Sequence, residues 1–215
     1  MPGWILGALL AAAPVAVDAG LVTRVAGGVT WKSAAHPAPA PAVALGKLRE
    51  GDELKVPEGG RVTVVYFANG RQEQWRGPAR VQLGAEGGKA LAGGPPEPGQ
   101  VDEATRKALS RVPSLVRAAS TERIGAATFR GHAATPELTA EEKDELARAK
   151  ADYQQRRAAA PADDVTVDLA YVVLLRDFDQ WQEMQAVLAT ARARAPGNES
   201  VEALTAWTAQ ALRRK

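Results

Sequence analysis

The chain has 215 residues, no cysteine and two histidines, and its 27 basic and 25 acidic side chains give a formal charge of +2. Without cysteine it has no disulfide, thiolate metal site, thiol nucleophile, covalent haem or acylated lipoprotein cysteine, and His36 and His132 are too few for a multi-histidine zinc or copper centre. The near-balanced charge is not that of a nucleic-acid binder or a polybasic membrane binder, and the length admits one or two domains.

The chain opens MPGWILGALLAAAPVAVDAG. Ile5 to Val17 is apolar or small throughout, the length of a signal-peptide core and short for a bilayer span. Val17 and Ala19 supply small residues at the −3 and −1 positions of a cleavage site after Ala19. Residues 1–19 are therefore expected to be a signal peptide that sends the chain to the periplasm or the medium of a bacterium. Retained, the same segment would be an anchor or a buried first helix.

Gly20 to about Leu91 reads as a β-rich module of short apolar runs separated by Gly, Pro and Asn. The clearest strand is Arg61–Phe67 (RVTVVYF). Val62, Val64 and Tyr66 face one way and Thr63, Val65 and Phe67 the other, so both faces should be covered. Asn69-Gly70 is a hairpin turn signal, Arg71 to Arg76 returns, and Ala79–Leu83 is a further short strand. Turns at this spacing predict a sandwich or roll. The Ala-Pro alternation between Lys32 and Leu45 predicts an exposed loop, with His36 as a solvated loop residue.

Val25-Ala-Gly-Gly-Val29, Leu45 to Leu54 (LGKLREGDEL), Val56 to Val65 (VPEGGRVTVV), Asn69-Gly70 and Gly77 to Val81 (GPARV) together resemble a FecR-type domain. The resemblance spans roughly a third of the chain and implies a β-rich extracytoplasmic module. It supplies no catalytic residues; Gly51, Gly59, Gly60 and Gly70 stand in it as backbone-geometry positions.

Residues 92–138 read as a Gly/Pro linker and connector, with Gly84–Gln100 as a flexible domain boundary. A helical pattern over residues 101–117 is expected to break at Pro113. Arg123–Arg130 would be either a returning strand or a packed connector. From Thr139 to Lys215 the chain is expected to be helical, and Thr139-Ala-Glu-Glu142 is a capping box. Asp163-Asp164 is read as a helix cap in preference to a metal or acid–base site. The run Leu169–Leu175 (LAYVVLL) predicts a helix enclosed by others. Trp181 and Trp207 belong to apolar stripes of the last two helices, which the Ala195-Pro-Gly-Asn198 turn separates. This succession, with Ala191 and Pro196 at the late positions, resembles a tetratricopeptide unit, although Val172 stands where that family has a small residue. One such unit should pack on the β-module or on a partner.

The expected fold class is thus α+β as separate domains: an all-β FecR-like sandwich or roll over residues 20–91, then TPR-like helical hairpins over 139–215. No residue pattern marks a catalytic, cofactor or metal site, and His132 lies in a small-residue stretch with no nucleophile pattern beside it. The expectation is a non-catalytic exported interaction or scaffold protein, without nucleic acid and without a cofactor, that binds a protein partner. Two alternatives are an envelope sensor anchored by the retained leader, and a glycan or peptidoglycan binder using Trp31 and Trp75 as exposed aromatics.

Overall fold

In the computed structural model, residues 17–124 and 137–213 are described. Ten strands come first: β1 (Asp18–Ala26), β2 (Thr30–Lys32), β3 (Ala40–Pro41), β4 (Lys47–Arg49), β5 (Glu53–Val56), β6 (Arg61–Tyr66), β7 (Arg71–Arg76), β8 (Ala79–Leu83), β9 (Gly88–Ala92) and β10 (Glu97–Gln100). Five helices follow: α1 (Glu103–Ile124), α2 (Ala140–Ala159), α3 (Thr166–Asp177), α4 (Trp181–Arg194) and α5 (Glu199–Arg213). The strands form two antiparallel five-stranded sheets, ordered β10-β7-β6-β1-β4 and β3-β2-β5-β8-β9.

The two sheets enclose one core, built from Val22, Leu54, Val62, Val64, Tyr66 and Trp75 among others. The opposite face of β6 presents Val65, and Phe67 follows just beyond the strand's end; these join Leu21 of β1 in a second core shared with the helices. Both faces of β6 are covered, as its two-sided apolar pattern requires. The layers run sheet, sheet, helices. Leu109 and Val112 of α1, Leu169 and Leu175 of α3, and Leu204 and Trp207 of α5 pack in the same cluster as Leu21, Ala44, Leu45 and Val65. The strands and helices are therefore not separate domains; burial of apolar surface joins them.

Polar contacts seal the junction. Asn198 caps α5 by accepting from the Val201 N–H at 3.0 Å, and its amide donates to the carbonyl of Ala44. Arg106 of α1 donates to the carbonyl of Phe67 at 2.7 Å. The capping box forms as its residues dictate: Thr139 Oγ1 accepts from Glu142 N–H, and the Glu142 carboxylate accepts from Thr139 N–H. LAYVVLL lies in α3, which packs against α1, α2 and α4.

Four expectations need correction. Gly84–Gln100 holds β9 and β10, which extend both sheets, and the β-part runs on to Gln100. β10 tolerates Pro98 because an edge strand needs only one side of its backbone paired. Pro113 lies inside α1 and does not end it. The lost hydrogen bond and steric conflict cost about 3 kcal/mol, which burial of Leu109, Val112 and Ala119 on one face of the helix offsets. The segment read as a connector over 92–138 thus contains β10 and α1. Trp75, read as an exposed aromatic, is 1% exposed in the sandwich core. Its position opposite Val62 in the β6–β7 ladder turns it inward.

Three expectations fall wholly or mainly outside the described residues: the leader up to Ala16, His132, and residues 125–130 of the segment read as a strand or connector, Arg123 and Ile124 being the end of α1. At the start, β1 begins at Asp18, and the Ala19 carbonyl accepts from the Phe67 N–H at 2.9 Å. Among the described residues no helix is long and apolar enough to cross a membrane.

Candidate functional site: a polar cleft between sheet and helices

The outer face of the β10-β7-β6-β1-β4 sheet changes character along its strands. One part is apolar (Leu21, Val65, Phe67) and lies under the helices. The other part is polar, and it starts with a β-bulge. The register of β1 against β6 shifts between Val22 and Arg24, with Val22 opposite Val64 but Arg24 opposite Thr63. Strict alternation from Val22 would turn Arg24 into the sandwich. The extra residue, Thr23, leaves Arg24 on the helix-facing side.

Arg24 pairs with Thr63, Thr63 with Gln74, and Gln74 with Glu97, so these four residues form one row across β1, β6, β7 and β10. In the next row, Gln72 of β7 pairs with Val65 and Gly99. Above these rows lies a cleft of about 490 Å³. Its roof is the start of α1 (Asp102, Thr105), the end of α2 (Arg156) and the α2–α3 connection with the first turn of α3 (Asp164, Thr166).

Apart from Asp164, the charged side chains of the cleft are ion-paired within the protein. Arg24 Nε lies 2.6 Å from Asp163 Oδ2, and Arg61 shares that oxygen at 3.7 Å. Arg156 bridges Asp102 and Asp152 and donates to Thr105 Oγ1 at 2.8 Å. Glu97 takes Arg76 at 2.9 Å and the Gln74 amide at 2.7 Å. Burial acts to raise the Asp102 carboxyl, but hydrogen bonds from Thr105 and Arg156 outweigh it and hold it below the usual range. The Asp163 carboxyl is likewise lowered, its burial outweighed by the hydrogen bond from Arg24. Asp164 accepts from the Thr166 N–H at 2.7 Å, just outside the start of α3. The Asp163-Asp164 pair therefore splits, and neither is the cap residue of α3, which is Val165: Asp164 holds the turn just before the helix, and Asp163 ties the helices to β1.

Neutral polar groups remain open. The Thr63 side chain is 3% exposed, and its hydroxyl has no hydrogen-bond partner among the described residues. Neither does the Gln72 amide, while Gln74 keeps its carbonyl oxygen free. The buried Thr166 hydroxyl is also unpartnered. No lining residue is aromatic.

The other residues singled out by sequence lie elsewhere. Trp31 is half-buried, its ring 6.2 Å from that of the exposed His36 on the far sheet. Trp181 and Trp207 meet edge to face at 5.1 Å in the helical core. Gly51, Gly59 and Gly70 have positive φ; Gly60 does not, but packs against Pro57 and Gly27. Among the described residues no three His, Asp or Glu side chains are placed to hold a metal. Sequence reasoning missed Gln72 and Gln74. Carrying the β6 alternation through the Asn69-Gly70 turn would have put both beside Thr63. Comparison with family models, curated proteins and solved structures returns no match.

Proposed function

We propose that this protein is a non-catalytic interaction protein that receives a segment of a protein partner in the cleft between its outer sheet and helices. The observation that carries this reading is the cleft itself. Its ionised groups are held by neighbours, all but Asp164 in ion pairs and Asp164 by the Thr166 N–H, whereas proton transfer or nucleophilic chemistry needs a poised acid, base or nucleophile. Its neutral amides and hydroxyls stay open, which suits recognition through hydrogen bonds. The FecR-like reading of the strands, the TPR-like reading of α3 to α5 and the apolar leader belong to the same proposal. They make the protein an exported component of a bacterial envelope, periplasmic or secreted.

The test is site-specific photo-crosslinking in the source cells. A crosslinker at Gln100, on the rim of the cleft, should give a discrete protein adduct; one at Lys55, on the far sheet, should not. Equal labelling at both positions, or none at Gln100, would remove the proposal. Buried Trp75 leaves glycan binding without one of the two aromatics on which it rested.

A further inference from the structure

We infer that the cleft is built for an extended, uncharged peptide segment of about four residues lying across the strands, with its amides bonded to Gln72, Gln74 and Thr63. This rests on the interaction reading above and names the ligand chemistry of the same site. Size supports it first. The row from Arg24 to Glu97 crosses three strand spacings of about 4.8 Å, about 14 Å in all, which about four extended residues span at roughly 3.3 Å each.

The open groups support it second. A buried hydroxyl without a partner is costly in an isolated fold, by about 1–3 kcal/mol; Thr166 provides one at the roof of the cleft, and the partnerless Thr63 hydroxyl opens onto its floor. The Gln72 amide offers two donors and an acceptor, and the Gln74 carbonyl offers an acceptor. Donors and acceptors set side by side match the alternating N–H and C=O of a peptide backbone.

Charge supports it third. Arg24, Arg156, Glu97, Asp102 and Asp164 all border the cleft, and each already has a partner. A charged ligand would have to compete with those pairs, whereas a neutral one leaves them intact. A sugar would meet the same hydroxyls and amides, but no ring in the lining offers a face for its C–H groups.

The experiment is titration of the isotope-labelled full chain with N-acetylated, C-amidated tetrapeptides of Gly, Ala, Ser and Thr. Neutral oligosaccharides, chitotetraose and maltotetraose, form the second arm. The tetrapeptides should shift the Gln72 and Gln74 side-chain amide resonances saturably. Thr63→Val and Gln72→Leu should each weaken binding about tenfold while leaving the remaining spectrum in place. Thr63→Val keeps the side-chain shape, so it serves where the leucine variant disturbs packing. No peptide-dependent shift, shifts from oligosaccharides alone, or unchanged affinity in both variants would overturn the inference. A Gln100 crosslink without peptide binding removes this inference alone; loss of both removes the interaction reading as well.

Discussion

Among the described residues two carboxylates are fully buried, one in each core region, and they are held in different ways. Glu73 of β7 lies inside the sandwich. Its Oε2 accepts from the Tyr66 hydroxyl at 3.0 Å, the Trp75 indole at 3.1 Å and the Gly88 N–H at 2.9 Å, so it links both sheets. Arg71 Nε approaches its Oε1 at 2.8 Å, outside hydrogen-bond geometry. Asp168 of α3 instead takes the Tyr153 hydroxyl at 2.9 Å, Arg157 at 3.1 Å and Arg194 at 3.4 Å. Tyr153 and Arg157 both come from α2, which has no buried residue. Around Glu73 apolar packing surrounds the polar links. α2 is held by Asp168, by the Tyr153–Tyr171 ring stack at 4.4 Å, and by surface pairs such as Lys150–Glu183. The sandwich should therefore open only with the whole fold, while α2 can leave first.

The hardest test of that contrast is Glu73→Ala. It strands the Tyr66, Trp75 and Gly88 donors in the core and should lower global stability by about 3–5 kcal/mol. Urea unfolding should show the loss, with faster hydrogen exchange throughout the sheets. Asp168→Ala should cost less, about 2–4 kcal/mol, because Arg194 can turn to water. Its exchange signature should concentrate in α2; equal acceleration in β6 and β7 would break the comparison.

Gly88→Ala sharpens the sandwich side. A Cβ there would stand 2.7 Å from Val81 Cγ1, 2.8 Å from Trp75 Cζ2 and 2.9 Å from Glu73 Oε2. The expected loss is about 1–3 kcal/mol by the same unfolding measurement.

Alkaline pH sharpens the α2 side. Burial and the Asp168 charge push the Tyr153 hydroxyl from 10.0 up to about 12. A group raised on folding stabilises fully below its unfolded value and loses that contribution as pH passes its folded value. Part of the stability should therefore disappear between pH 10 and 12, and Tyr153→Phe should make thermal melting less steeply pH-dependent in that window, the rest of the slope coming from Tyr66 and Tyr171, which burial also raises. Smallest of all, Arg156→Ala removes partly exposed pairs with Asp102 and Asp152. It should change stability by less than about 1 kcal/mol, with no change in the circular dichroism of the folded chain.

How far the sequence made this legible depended on distance along the chain. RVTVVYF, the Thr139 capping box and the Ala195–Asn198 turn state their conformations locally, and the structure has them; Asn69-Gly70 marks the hairpin, but as the end of a four-residue turn in which Gly70 and not Asn69 has positive φ, instead of a two-residue type I′ turn. β9 and β10 were hidden because Gly and Pro dominate the segment Gly84–Gln100 that holds them and their strand character comes from pairing with β8 and β7. Pro113 misled because a local rule met a buried helix face. The cleft was the least legible part. Gln72 and Gln74 carry no chemical signature, and only the return of α2 and α3 over β6 and β7 makes a site of them.

The bulge at Thr23 has a consequence for how the protein tolerates change. Thr23 is fully buried, its hydroxyl has no partner, and it breaks the regular pairing of β1 with β6. It works as a spare count in a two-beat rhythm. Deleting Thr23 would restore plain alternation and still leave Leu21 and Arg24 outward and Val22 and Val25 inward. Deleting one residue from the evenly paired β6 would instead exchange its two faces, sending Thr63 into the sandwich or Val64 into the cleft. A strand otherwise intolerant of insertions and deletions thus carries one place where its length can change by a single residue without reversing what either face displays.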